Sequence, residues 1–116
     1  DELHGLIVKT SGLLGPLRTA LAPLSGLIRA AFVFGSVAKG TDRAASDVDL
    51  LVVADDLDYA DLYSALQPVE ATLGRPVNPN VMSPAEWRSK RKQAGFATRI
   101  AGQPRLFVLG SDDDLA

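Results

Sequence analysis

A chain of 116 residues, 47% hydrophobic with a formal net charge of -2, suits one compact domain spanning 1–116 and leaves no room for a second. The lack of cysteine excludes disulfides and thiolate metal sites and points to a reducing cytoplasm, and no apolar run nears the roughly 20 residues that span a bilayer. A mildly acidic balance argues against strong nucleic-acid binding, which needs clustered Lys and Arg. Because Asp1 rather than Met stands first, the domain reads as a fragment of a longer chain.

In chain order, Leu3, Leu6, Ile7, Leu13, Leu14, Leu17, Leu21 and Leu24 have the spacing of an amphipathic helix, bent or divided near Gly12, Gly15 and Pro16. His4, the only histidine, lies there without a partner signal and reads as incidental. Leu27 to Phe34 predicts a buried strand that ends in a sharp turn at Gly35, and 40–46 a polar loop. Asp47 to Ala54 alternates at first and then becomes apolar throughout, which predicts a strand with one exposed end. Asp58 or Asp61 can cap a helix toward Gly74, with Leu62, Leu66, Val69 and Leu73 on one face and a kink or restart at Pro68.

Val77 to Met82 predicts a third strand, which Pro76 and Pro79 confine to a sheet edge or a bulge. Ser83-Pro84-Ala85-Glu86 is a capping box with proline at the first helical position, and its helix should run through Trp87 to about Gln93. A short helical piece over 96–101 and a last strand over 105–109 follow, and the aspartates at 112–114 read as a solvated tail. Trp87 reads as a core or interface anchor, while Arg88, Arg91 and Lys92 share a helical face that is most simply solvated.

The chemistry gathers where the first two strands meet. Side chains alternate along a strand, so Asp47 and Asp49 project from one face while Val48 and Leu50 project from the other. Two carboxylates so placed repel each other unless a positive charge lies between them, and a divalent cation with oxygen ligands supplies one. Gly35 and Ser36 offer a backbone that a phosphate can approach closely, with N–H groups and a hydroxyl to donate. A metal beside a phosphate cradle points to a nucleotide.

Phe34-Gly35-Ser36-Val37-Ala38-Lys39-Gly40, followed by Ser46-Asp47-Val48-Asp49-Leu50-Leu51-Val52, resembles the signature of the minimal nucleotidyltransferases of the polymerase-beta superfamily. That resemblance implies an α/β (α+β) domain, a small mixed β-sheet flanked by helices. It implies Mg²⁺ held by Asp47 and Asp49, in a site that allows two metals, with both aspartates catalytic. It also implies a nucleoside triphosphate gripped by Gly35 and Ser36, with Lys39 neutralising charge nearby.

The family pattern has a third carboxylate on a following strand, where this chain offers Asn78 and Asn80. An asparagine oxygen can ligate a hard cation but brings no charge and is a poor proton acceptor. Asn78 is the candidate third metal position, and Glu70 or Glu86 could reach in from a helix. Two functions follow. One is nucleotidyl transfer from a triphosphate to an acceptor hydroxyl. The other is a weakly catalytic nucleotide-binding regulatory module. By the resemblance, such a module would stand behind a winged-helix DNA-binding domain or act like an antitoxin beside a HEPN-type helical partner. No membrane partner is expected, and an exposed edge strand would allow a homodimer.

Overall fold

The computed structural model describes residues 14–35, 47–96, 105–111 and 115. Its first helix, α1, is described over 14–21 and passes into a tight turn of 3-10 helix at Ala22–Leu24. The part of that helix expected before Leu14 lies outside the described residues. Strands β1 (Ile28–Phe34) and β2 (Val48–Ala54) follow, then helix α2 (Tyr59–Leu73) and strand β3 (Val77–Met82). Helix α3 (Pro84–Lys90), one helical turn α4 (Ala94–Phe96) and strand β4 (Leu106–Leu109) complete the order. The expected tail at 112–114 is likewise outside the described residues.

The strands form one mixed sheet in the order β3-β2-β1-β4. β1 pairs antiparallel with both β2 and β4, and β2 pairs in parallel with β3, so the small mixed sheet flanked by helices is as expected. On one face, Ala31 and Val33 of β1 and Val48, Leu50, Val52 and Ala54 of β2 meet Leu17 and Leu21 of α1 and Leu62, Leu66 and Val69 of α2. All are buried, and this is the main core. On the other face a smaller cluster joins Ala30, Phe32, Leu51, Val53 and Met82 to Trp87 of α3 and Leu115. Trp87 is therefore a core anchor, edge-on to Phe32 with ring centroids 5.7 Å apart.

Of the two capping candidates, Asp58 is the one used: its carboxylate accepts from Ala60 N at 3.1 Å. Gly74 closes α2 in the left-handed conformation at φ 66 that glycine adopts without strain. Pro68 neither kinks nor restarts the helix, which runs unbroken from Tyr59 to Leu73. Its missing N–H would have met the carbonyl of Ser64, and both residues lie on the exposed side, so the loss falls where water can compensate it. The capping box of α3 is present in both directions, Glu86 N to Ser83 Oγ and Ser83 N to Glu86 Oε1, each at 3.1 Å.

β3 takes the edge position that its prolines require, with no bulge in its register against β2. Val48 N donates to Pro76 O at 2.9 Å, while Val77 N turns outward and donates to Glu70 Oε2 at 2.8 Å. Two residues further on, Pro79 has its missing donor on that same outward side. On the opposite edge Arg18 Nε donates to the Val108 carbonyl at 3.0 Å. Both outer strands thus carry a device that discourages pairing with another strand. Among the described residues, no helix is long and apolar enough to cross a membrane.

Candidate functional site

The period of two along β2 decides what the site contains. Val48, Leu50 and Val52 are consumed by the main core, so the alternate positions Asp47, Asp49 and Leu51 share the opposite face. Leu51 is covered by the Trp87 cluster. Asp49 is only half-buried and Asp47 is exposed, so the strand becomes polar where that cover ends.

Three strands converge on this spot. Asp49 lies opposite Phe34 of β1 and opposite Asn78 of β3 in the sheet register. Immediately after Phe34, Gly35 turns the chain with φ 76. A Cβ built on Gly35 would lie 2.7 Å from Asp49 Oδ2, so the carboxylate is packed against a backbone whose φ of 76 and close approach both favour glycine. Ser36 and Lys39 lie outside the described residues.

Asn78 settles the register left open by the sequence. Asn78 and Asn80 are both exposed on the aspartate face, but Asn78 stands beside the pair and its Nδ2 donates to Asp47 Oδ2 at 3.0 Å. Asn80 is one step further along and points its amide back toward the Leu50 carbonyl at 3.5 Å, a long contact. Partial burial pushes the Asp49 carboxyl above its ordinary value; hydrogen bonding from Asn78 pulls it down, and the charge of Asp47 adds to the rise.

Neither glutamate that the sequence left open reaches in. Glu70 is engaged with Val77 N and Gln67 Nε2, and Glu86 serves the α3 capping box at the opposite end of β3 from Asn78. Local demands outside the site claim both: an outward strand donor and an unpaired helix start. Among the described residues, no group of three or more His, Cys, Asp or Glu gathers. The donor set is therefore two carboxylates and an amide oxygen, hard ligands that fit a divalent cation such as Mg²⁺ with fewer charges than three carboxylates would give.

A cation on the same face carries a weaker sequence signal. Arg105 stacks over Phe32 at 5.1 Å and Trp87 at 5.7 Å from the ring centroids. The alternation Arg105-Leu106-Phe107, read against Phe107 in the small cluster, is the one local clue to its side of the sheet. Arg88, Arg91 and Lys92 are exposed as expected, although Arg91 also reaches the Leu115 carbonyl at 3.4 Å.

The fold has solved counterparts. It resembles the crystal structure of a toxin-antitoxin with AMP-PNP at a TM-score of 0.64 and 22% identity, covering 87% of this chain and 77% of that one. It also resembles the toxin-antitoxin MntA-HepT at a TM-score of 0.57 and 19% identity, covering 87% and 73%. The structure of tri-AMPylated Shewanella oneidensis HEPN toxin in complex with MNT antitoxin matches at a TM-score of 0.58 and 19% identity, covering 87% and 72%. No curated protein matches the sequence. The sequence model described as polymerase beta, nucleotidyltransferase matches residues 23–83, more than half of the chain and the whole stretch from β1 to β3. The chain therefore belongs to the polymerase beta nucleotidyltransferase family.

Proposed function

We propose that this domain binds a metal-complexed nucleoside triphosphate across the Gly35 turn and the Asp47–Asp49 pair, and transfers its nucleotidyl group to a hydroxyl of a partner protein. The observation that carries this reading is the contact between Asp49 and Gly35, where a Cβ would come within 2.7 Å of Oδ2. A turn with no side chain, set against a metal-ligating carboxylate, lets phosphate oxygens reach backbone donors and metal together.

In the step itself the acceptor oxygen bonds to the α-phosphorus as the bond to the bridging oxygen breaks. Pyrophosphate leaves with the electron pair. A divalent cation, when bound, would offset the charge that develops on the attacking and leaving oxygens. Asp47 and Asp49 would hold the cation, Asn78 would add an amide oxygen, and Gly35, Ser36 and Lys39 would grip the triphosphate. Since an amide takes up no proton near neutral pH, Asn78 would not serve as the base, and the acceptor proton would pass to water or to another group at the site.

A partner chain as the acceptor is supported by the likeness to toxin–antitoxin structures, one with AMP-PNP and one with an AMPylated toxin. Edge pairing between two copies is disfavoured by Pro79 and by the bonds of Glu70 and Arg18, so the partner fits better as a different protein. Asn78 in place of a third carboxylate favours a second reading, in which the nucleotide is bound for regulation without turnover.

Calorimetric titration with each ribonucleoside triphosphate, with and without Mg²⁺, separates these outcomes when followed by mass spectrometry of acceptor and domain. Metal-dependent binding with a nucleotidylated product establishes transfer, whereas binding without product leaves the regulatory role. The double variant Asp47→Asn, Asp49→Asn should stay folded and lose metal-dependent triphosphate binding by at least about 100-fold. Binding retained by that variant would remove the site assignment.

A further inference from the structure

We infer that Asn78 keeps free divalent cations out of the Asp47–Asp49 site, so that the metal enters together with the triphosphate rather than ahead of it. This rests on the nucleotide-binding reading above and concerns the order in which its ligands assemble.

An ionised carboxylate can only accept hydrogen bonds, so the amide must turn its NH₂ group, not its oxygen, toward Asp47, and the Nδ2 to Oδ2 distance of 3.0 Å agrees. That group has two N–H donors. Asn78 also stands directly opposite Asp49 in the parallel register, so the same amide lies beside both carboxylates. One amide therefore presents its positive end to Asp47, beside Asp49, at the pair of carboxylates that would hold a cation. The carboxylates are partly satisfied without a metal, and a bare ion must displace those bonds as well as shed water.

With aspartate at position 78 the balance would reverse. Three carboxylates and no donor would repel one another and draw in a cation with or without a nucleotide. With asparagine, two negative charges must suffice, and the oxygens and charge of the triphosphate make up the rest of the coordination. Asn78 is exposed, so its side chain can rotate to present its oxygen without disturbing the core. Among the described residues, Glu70 is not free to compensate, because it is held by Val77 N and Gln67 Nε2.

The test titrates Mn²⁺ alone into the intact chain and follows free Mn²⁺ by electron paramagnetic resonance, for wild type and Asn78→Asp. The wild type should take up little Mn²⁺ until ATP is added, measured against the Mn²⁺ that the same ATP binds without protein, and Asn78→Asp should bind the bare ion at least about tenfold more tightly. Equal uptake of bare Mn²⁺ by the two proteins overturns this inference while leaving nucleotide binding intact. Failure of the wild type to bind Mn²⁺ even with ATP removes the nucleotide reading beneath it. As a second measurement, Asn78→Ala deletes the amide without adding charge. Bare Mn²⁺ should raise its melting temperature by several degrees and leave that of wild type unmoved, and an Asn78→Ala protein indifferent to Mn²⁺ overturns the inference independently.

Discussion

The two faces of β2 make opposite use of the same seven residues. Toward the helices, Val48, Leu50, Val52 and Ala54 form an unbroken buried row. Toward the other side, Leu51 and Val53 are buried under Trp87, but Asp49 and the preceding Asp47 are left at the margin of that cover. Stability and chemistry are thus separated by the pleat rather than by distance, since adjacent residues belong to different tasks. A site built on a central strand, paired on both sides, is also held more rigidly than one on a loop.

The sharpest way to break this comparison is to change neighbours on opposite faces. Leu50→Ala removes a fully buried side chain from the main core and should lower unfolding free energy by about 2–5 kcal/mol in denaturant titration, with triphosphate affinity of the folded fraction unchanged. A loss below about 1 kcal/mol would mean that the helical face is not where stability resides. Next in size, Gly35→Ala forces a side chain into φ 76 and against Asp49, and should lower stability by about 1–2 kcal/mol. Its metal–triphosphate affinity should fall more than tenfold by calorimetry, since Asp49 must shift; unchanged affinity would separate the turn from the site.

The smallest effect has the opposite sign. Asp49→Asn removes a carboxylate disfavoured by burial and by Asp47, and should raise stability without ligand, though by less than about 1 kcal/mol because water screens a half-exposed group. A carboxyl that holds its proton more tightly folded than unfolded stabilises the fold as pH falls and gives that up as pH rises through its folded value. The advantage of Asp49→Asn over wild type should therefore grow from about pH 4 to 7 in melting-temperature measurements. An advantage that shrinks over that range would show Asp49 to be stabilised by its surroundings.

What could be read from sequence was what local periodicity encodes. The alternation Asp47-Val48-Asp49-Leu50 announced both the strand and the shared face of the aspartates, and Ser83-Pro84-Ala85-Glu86 announced the start of α3, because each depends on residues within one turn or pleat. Pro76 and Pro79 announced an edge strand, but the register that sets Asn78 opposite Asp49 depends on pairing across about thirty residues and has no local signature. Glu86's engagement was legible in the capping box, whereas Glu70 looks available until the turn between α2 and β3 brings Val77 N to its carboxylate. Pro68 misled in the other direction: its local rule is correct, but α2 turns that residue toward water, where the broken bond matters least.

The position of β4 bears on how the chain acquires its shape. β1 and β2 come together across a short span, whereas β4 reaches β1 with Leu109 opposite Ala31, a separation of 78 residues (109 minus 31). Closing so long a loop is slow, because its entropy must be lost before any contact rewards it. During synthesis the outer edge of β1 therefore waits unpaired until β4 has emerged, and β1 through β3, the part of the sheet that carries Gly35 and the aspartate pair, assembles before the strand that seals its flank.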